Sequence, residues 1–265
     1  MARLLVCTQD CIESQAIQKY AQYIYDLQGD QFSDLKLVTL EVALSIKQTA
    51  IDLDLFIFGK PKQSVLGRLL AGNPCCKAVS QAPFSVLVVG QPHWPIQNIL
   101  LIVRVEETDE AAVDWAGRLA RASGANVSVL PILPPFTSVY LPTSYEETTL
   151  SELLSPKTQT GRQLRLLSQR LALWQIESIL RFRQGEPWWQ IHGEVKEGNY
   201  DLIVIGAEPY GSWRRLLIGE LVGPMLGWMN RPLLVARPTQ SPKGNKSEAN
   251  NRIPAGSIYG NLLCF

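Results

Sequence analysis

The sequence contains few of the residues that bind metals or nucleic acids. Only two histidines occur, His93 and His192, and the five cysteines are odd in number and lack the spacing of paired metal ligands. We therefore expect reduced, mainly structural thiols and no metal site. With 25 Lys+Arg against 24 Asp+Glu the formal net charge is +1, so no global field draws the chain to nucleic acid or to an anionic membrane.

Long apolar runs are also missing. The opening MARLLVC is apolar for only a few residues before Thr8, Gln9 and Asp10, whereas a membrane span needs about 20 residues. We therefore expect a cytoplasmic protein that does not contact a membrane. The 46% hydrophobic and 18% charged residues are ordinary for a globular protein, and 265 residues leave room for two modest domains.

Common catalytic and nucleotide-binding motifs are absent from the sequence. Gly206 and Gly211 have the spacing of a P-loop, but Ser212 stands where that loop requires lysine. No G-x-G-x-x-G follows a strand, and no G-x-S-x-G occurs. Neither histidine stands beside an evident nucleophile, so the sequence gives no support for triad hydrolysis.

The chain contains an internal repeat. Residues 54–89 and 201–235 both begin with Asp-Leu and an apolar run that leads to a glycine. A second glycine follows thirteen residues later, and a helical stretch then precedes a final apolar strand. The equivalent glycines are Gly59 with Gly206 and Gly72 with Gly219.

The second half alternates apolar runs with helical patterns. The runs predict strands at 99–103, 126–133, 176–182, 202–205 and 233–236. Helices are predicted from an N-cap at Thr108 to Gly124, around Leu164 to Trp174, from Glu186-Pro187, and after Ser212. This alternation predicts a parallel sheet covered by helices, with ligands at the carboxyl ends of the strands where the strand order reverses.

The first half is shorter and lacks one β-α unit in this interpretation. Strands are predicted in RLLVC and at 35–42, 55–58 and 86–89, with helices after the first strand, over 43–52 and between the last two strands. The predicted division of the chain is a truncated domain at 1–92, a complete domain at 97–238 and a flexible C-terminal tail at 239–265.

Two segments stand outside this pattern. The polar, proline-bearing stretch at 134–160 is predicted to be a mobile flap or a helix-loop insertion. The tail at 239–265 is polar, but its end, IYGNLLCF, is apolar again. That end is either a frayed terminus or a short docking segment.

The order and spacing of these elements resemble the universal stress protein family in a tandem form. The residues that carry the resemblance are ILLIVRVEETDEAAVDWAGRLARASGANVSVLPILPP and the segment 201–238. The resemblance implies an α/β fold of two open parallel-sheet domains, adenine nucleotide α-hydrolase-like, with the first domain shortened. It also implies frequent dimers, and ATP binding in some members.

The ATP-binding pattern of the family is degraded in the second half. The pattern is Gly, two residues, Gly, nine residues, Gly, then Ser, Thr or Asn. Gly206 and Gly219 match the first and third glycines, but the second falls on Pro209, which has no N–H to donate. The last position falls on Glu220, whose charge opposes a phosphate, and the first-strand Asp that the family uses near the ribose falls on Arg104.

Three arginines keep an anion site in the second half open as an interpretation. Arg104, Arg214 and Arg215 could neutralise an anion that Glu220 repels. The alternative is that they are solvated residues on a loop and at a helix start.

The first half matches the pattern differently. Gly59 and Gly72 match again, the second glycine falls on Lys62, and the last position is Asn73, which the pattern permits. Lys60 and Lys62 make this loop basic, so it is predicted to be the better phosphate site. A missing strand would, however, leave the adenine poorly covered.

Two functions follow from these residues. In the first, the protein is a nucleotide-binding regulator of the stress response, which holds ATP or another adenine nucleotide at one degenerate site. The loops after Gly59 and Gly206 would contact the phosphates, and Ile132 and Ile205 would flank the base. The candidate nucleotide-binding residues are Gly59, Lys60, Lys62, Gly72, Asn73, Arg104, Ile132, Ile205, Gly206 and Gly219.

In the second function, the protein is a scaffold that binds no nucleotide. Its last strands, 86–89 and 233–236, would meet edge to edge, so that the chain is an internal dimer that regulates a protein partner. Association of two chains into a homodimer is a further expectation. No residue stands out as a base for water, so we expect no enzymatic activity.

Overall fold

The computed structural model describes residues 2–8, 14–29, 32–39, 53–60, 79, 82–104, 109–132, 155–183, 186–207 and 221–238. Within them the chain forms nine strands and five helices. The strands are β1 (Ala2–Thr8), β2 (Phe32–Thr39), β3 (Leu53–Gly59), β4 (Ser85–Val89), β5 (Asn98–Arg104), β6 (Asn126–Ile132), β7 (Ser178–Leu180), β8 (Leu202–Gly206) and β9 (Leu233–Ala236). The helices are α1 (Ser14–Gln28), α2 (Glu110–Ser123), α3 (Gln159–Leu173), α4 (Pro187–Glu197) and α5 (Val222–Trp228).

The nine strands form one sheet in the order β2-β1-β3-β4-β9-β8-β5-β6-β7. Strands β1 to β4 are parallel to one another, strands β5 to β9 are parallel to one another, and β4 meets β9 in antiparallel fashion. The predicted α/β class and the predicted pairing of the last strands are confirmed. Because the junction is antiparallel, the carboxyl ends of the two strand sets lie at opposite edges of the sheet.

The junction between β4 and β9 is symmetric. Leu87 lies opposite Leu234, and the flanking residues pair in the same antiparallel register. Leu87 and Leu234 are as far apart in sequence as Gly59 and Gly206, the two glycines that the sequence repeat aligns. A residue that pairs with its own equivalent is what a two-fold contact between identical units requires.

Both faces of the sheet are buried along β4, β5, β6, β8 and β9, which explains their continuous apolar runs. Alternate residues such as Leu101 and Ile102 point to opposite faces, the first toward α1, α2 and α3 and the second toward α4 and α5. On the first face the core crosses the junction, since Ile24 of α1 and Leu119 of α2 belong to one cluster.

The ends of the helices follow local signals, with two corrections. Helix α2 ends before Gly124, which takes a φ of 71°, as predicted. Its N-terminal capping residue, however, is Asp109 and not Thr108, because the preceding strand end holds the Asp109 carboxylate as described below. Helix α4 starts at Pro187, as predicted, whereas α3 begins at Gln159, because the Thr158 hydroxyl accepts the Gly161 N–H at 3.0 Å and caps it there.

Two strand boundaries also differ from prediction. Strand β2 begins at Phe32, before the predicted start at residue 35, and β7 covers only three residues of the predicted 176–182. Only these three residues of β7 pair with β6.

Several predictions lie outside the described residues. They are the helix at 43–52, the insertion over 134–154, the helix start after Ser212 and the tail at 239–265. Among the described residues, no helix is long and apolar enough to cross a membrane, and no three potential metal ligands cluster.

Candidate functional site

Four of the predicted site residues meet at one edge of the sheet. Arg104 ends β5 and pairs with Ile132 at the end of β6, while Ile205 and Gly206 end the neighbouring strand β8. From β5 the chain passes through α2 to β6 on one side, and β8 lies on the other side. The strand order therefore reverses at Arg104, which is where ligands bind in open α/β sheets.

A buried ion pair fills this reversal point. The Nη2 of Arg104 lies 2.8 Å from Asp109 Oδ1, and both side chains are less than a tenth exposed. The other carboxylate oxygen, Oδ2, accepts the backbone N–H of Arg104 at 2.9 Å. Nη2 also donates to the carbonyl oxygens of Gly206 at 3.2 Å and Ala207 at 3.3 Å. The arginine therefore meets its counter-ion within the chain and bridges the ends of β5 and β8.

Gly206 is required by this ion pair. A Cβ atom at position 206 would collide with the Asp109 carboxylate and would lie 3.2 Å from Arg104 Nη2. Because Gly206 has no side chain, the Asp109 carboxylate can approach the end of β8. The sequence prediction assigned the same freedom to the approach of a phosphate.

The equivalent strand end in the first half has the same backbone arrangement. The N–H of Lys60 donates to Val89 O at 2.8 Å, just as the N–H of Ala207 donates to Ala236 O at 2.7 Å. The position beside Gly59 is filled differently, because a Cβ there would meet the terminal methyl of Ile17 from α1.

The side chain of Lys60 crosses to the other half of the sheet. Its Nζ donates to Met229 O at 2.8 Å and to Gly227 O at 3.4 Å. These carbonyls lie at the C-terminus of α5, where the helix dipole favours a cation. The amine that was predicted to neutralise a phosphate thus contacts a helix end. Its role in phosphate binding stays a prediction.

The remaining predicted site residues lie outside the described part of the chain. They are Lys62, Gly72, Asn73 and Gly219, together with Pro209, Arg214, Arg215 and Glu220.

A cavity of about 750 Å³ lies between α2 and α3, beside the ion pair. Arg104 and Asp109 line it near the start of α2, and most of its other walls are apolar. The apolar lining residues are Val103, Val113, Leu164, Leu166, Leu167, Leu173 and Trp174. Its volume falls within the range of small-molecule pockets, about 300–1,000 Å³.

Arg170 bridges the two helices that enclose the cavity. Its Nε donates to Asp114 Oδ1 at 2.8 Å, and its Nη1 lies 2.9 Å from Glu110 Oε2. The hydrogen bond to Asp114 is the largest cause that raises the pKa of Arg170 above its ordinary value. The guanidinium therefore stays charged and ties α3 to α2.

The sequence interpretation missed Asp109, Asp114 and Arg170. For Asp109 a signal existed, since an acid five residues after a strand-terminal arginine can fold back onto it. For Arg170 and Asp114, which are far apart in the sequence, no local signal existed.

The comparisons agree with this fold. A universal stress protein from Archaeoglobus fulgidus DSM 4304 is similar with a TM-score of 0.54 at 12% identity, over 89% of this chain and 86% of that chain. A functionally unknown protein from Pseudomonas aeruginosa PAO1 is similar with a TM-score of 0.52 at 19% identity, over 89% and 82%. No curated protein matches the sequence.

The model of the universal stress protein family matches residues 95–237, which is more than half of the chain. The described part of this range holds the reversal point, the buried ion pair and the cavity. The chain belongs to the universal stress protein family.

Proposed function

We propose that this protein is a non-enzymatic regulatory scaffold that binds no nucleotide and is built from two universal stress protein repeats, the first truncated. The observation that carries the proposal is the Arg104–Asp109 ion pair, which occupies the space beside Gly206. The scaffold acts on a protein partner in the cytoplasm, within the stress response.

The ion pair opposes a nucleotide in both charge and space. The Asp109 carboxylate would lie close to any phosphate at Gly206 and repel it. To reach an anion instead, Arg104 would have to leave its carboxylate and two carbonyls. Separating a buried pair costs about 3–5 kcal/mol, a large share of the energy with which a micromolar ligand binds.

The junction supports the scaffold interpretation. Ser85 of β4 accepts the Arg237 backbone N–H at 3.0 Å from the chain end of β9, and it also accepts the Trp115 indole N–H at 3.0 Å. Together with the symmetric pairing of Leu87 and Leu234, these bonds join the halves as two protomers of a dimer would be joined.

An adenine nucleotide in the first repeat is the second candidate function. Gly59 ends β3 beside β1, and β1 leads through α1 to β2 on its other side, so this loop also lies at a reversal of strand order. Among the described atoms, only those of Ile17 lie near the Cβ position of Gly59, and they carry no charge. The phosphates would contact this loop, Lys62 and Asn73.

Calorimetric titration of ATP distinguishes the two functions. The scaffold predicts no bound nucleotide in acid extracts by mass spectrometry and no heat with wild type. Heat that disappears in Lys62→Glu and persists in Glu220→Ser would assign the nucleotide to the first repeat. ATP binding that tightens in Glu220→Ser would place it beside Gly219 and contradict a closed second repeat.

A further inference from the structure

The outer edge of β7 carries backbone groups that can extend the sheet. Strand β7 is the last in the sheet order, so within the described residues no strand pairs with its outer edge. The N–H of Arg181 donates to Val129 O of β6 at 2.8 Å. In a parallel ladder, alternate residues direct their N–H and C=O groups to opposite sides. Arg181 and Ile179 therefore point toward β6, and Ser178 and Leu180 point outward.

The exposed side chains of this edge form a charge pattern that is complementary to itself in antiparallel orientation. Glu177 and Arg181 directly flank the strand, one at each end, and because side chains alternate they lie on the same face of the sheet as Ile179. Ile179 is 56% exposed, the Arg181 side chain is 51% exposed, and Glu177 is exposed. Leu180 lies on the opposite face and packs against the core. An apolar residue is thus flanked by an acid on one side and a base on the other.

We propose that β7 is a self-association site that pairs with β7 of a second copy of this chain in antiparallel fashion, centred on Ile179. In this register Ser178 faces Leu180 of the second copy, and these outward-pointing residues exchange four backbone hydrogen bonds. Ile179 faces Ile179 of the second copy at a pair where side chains approach closely. Glu177 faces Arg181 of the second copy, and the reverse pair forms by symmetry.

The pattern fits a second copy of this chain better than an unrelated strand. One register satisfies the hydrogen bonds, the apolar contact and both charge pairs, as an isologous two-fold interface requires. The described first half has no counterpart of β7, because four strands precede the junction and five follow it. Among the described strands each chain therefore has one edge with this pattern, so the contact closes as a dimer and does not grow into a fibre.

The edge is short, which predicts a weak dimer. Three ladder residues bury less than the roughly 1,200 Å² of a stable interface. Its exposed charge pairs are also screened by salt. We therefore expect reversible association that increases with protein concentration and decreases with ionic strength.

Sedimentation velocity over a concentration series at low salt tests the proposal. Wild type should show a monomer–dimer equilibrium. Glu177→Arg puts arginines opposite each other twice, so dimerisation should weaken roughly tenfold to a hundredfold. Lys19→Glu, a charge reversal on the exposed face of α1 in the first half, should leave it unchanged.

A mixing experiment makes the test specific to this register. Glu177→Arg and Arg181→Glu should each be monomeric alone, form a dimer when mixed, and regain self-association when combined in one chain. Ile179→Lys is a further disrupting variant, which is useful because Arg181 lies 4.0 Å from the buried Glu194 and its reversal could affect folding. Circular dichroism verifies that each variant folds.

Three outcomes overturn the proposal. They are a wild type that stays monomeric at every concentration, a Glu177→Arg dimer as strong as wild type, and folded variants that do not associate when mixed.

Discussion

The two halves of the molecule end equivalent strands with the same backbone and different chemistry. After β3 and β8, one residue returns a hydrogen bond to the neighbouring strand, from Lys60 to Val89 and from Ala207 to Ala236. Beside Gly59 the space holds an isoleucine methyl, whereas beside Gly206 it holds a carboxylate paired with an arginine. The two strand ends therefore share their backbone hydrogen bonds. They differ in the side chain that lies beside the glycine, and this difference sets the charge and polarity of each site.

The two strand ends also differ in where their basic side chains find hydrogen-bond acceptors. Arg104 finds its counter-ion and its acceptors within the second half. Lys60 finds its acceptors across the junction, at the end of α5. The first strand end is consequently tied to the other half of the sheet through Lys60. Substitutions at the two strand ends should therefore lower the free energy of unfolding by different amounts.

Removing the acid of the ion pair should have the largest effect. Asp109→Ala leaves the buried Arg104 without its counter-ion and should lower the free energy of unfolding by about 3–5 kcal/mol. Urea denaturation followed by circular dichroism measures the change. Asp109→Asn, which keeps an acceptor for the Arg104 N–H, is the control and should lose less. A loss below about 1 kcal/mol would mean that the pair behaves as a surface salt bridge.

Adding one methyl group to each equivalent glycine compares the two strand ends directly. Gly206→Ala should destabilise by about 2–3 kcal/mol, because the Asp109 carboxylate is fixed by Arg104 and cannot move aside. Gly59→Ala should cost about 1 kcal/mol, because the Ile17 methyl is the end of a flexible side chain. Thermal unfolding of the two variants shows which is less stable. Equal losses of stability would contradict the expected difference between the two strand ends.

Loss of the Lys60 contact across the junction should lower the free energy of unfolding by less than Asp109→Ala or Gly206→Ala does. Lys60→Met removes the donor to Met229 and Gly227 and should cost about 1 kcal/mol, as expected for a partly buried cation at a helix C-terminus. Lys60→Arg keeps the charge and should recover part of the loss. Urea denaturation again supplies the measurement. A Lys60→Met variant as stable as wild type would show that α5 does not depend on this contact.

The segment that joins the halves should give a small pH effect. Burial, and next the charge of Arg231, lowers the pKa of His93, whose Nε2 lies 2.5 Å from Arg231 Nη1. Below about pH 6.5 the unfolded chain takes up a proton that the folded chain resists, so stability should fall as the pH decreases toward the lowered pKa.

Replacement of His93 should remove this part of the pH dependence. Urea midpoints at about pH 7 and about pH 5 should lie closer together in His93→Gln than in wild type. His192→Gln, at the only other histidine, is the matched control. An unchanged difference in His93→Gln would contradict the assignment.

Much of the fold could be predicted from the sequence because its signals are local. Continuous apolar runs gave the position of β5 within one residue at each end and that of β9 without error, and Gly124 marked the end of α2. The scaffold hypothesis predicted that the last strands pair, and β4 does pair with β9.

The chemistry of the site was less predictable because it depends on where side chains turn. The sequence showed a reversed charge at Arg104 but not that Asp109 would fold back and fill the space beside Gly206. Nothing local indicated that Lys60 would cross the junction, since its acceptors are backbone carbonyls, which every residue possesses. The strand predicted at 176–182 was likewise too long, because the prediction followed its apolar residues, whereas only three of these residues pair with β6.

The antiparallel junction has a consequence for how other molecules reach the protein. The strand ends at Gly59 and Gly206 face opposite edges of the sheet, about 17 Å apart along a five-residue strand and farther with their loops. No single flat surface can cover both. A molecule that binds at one of these edges therefore leaves the other edge accessible.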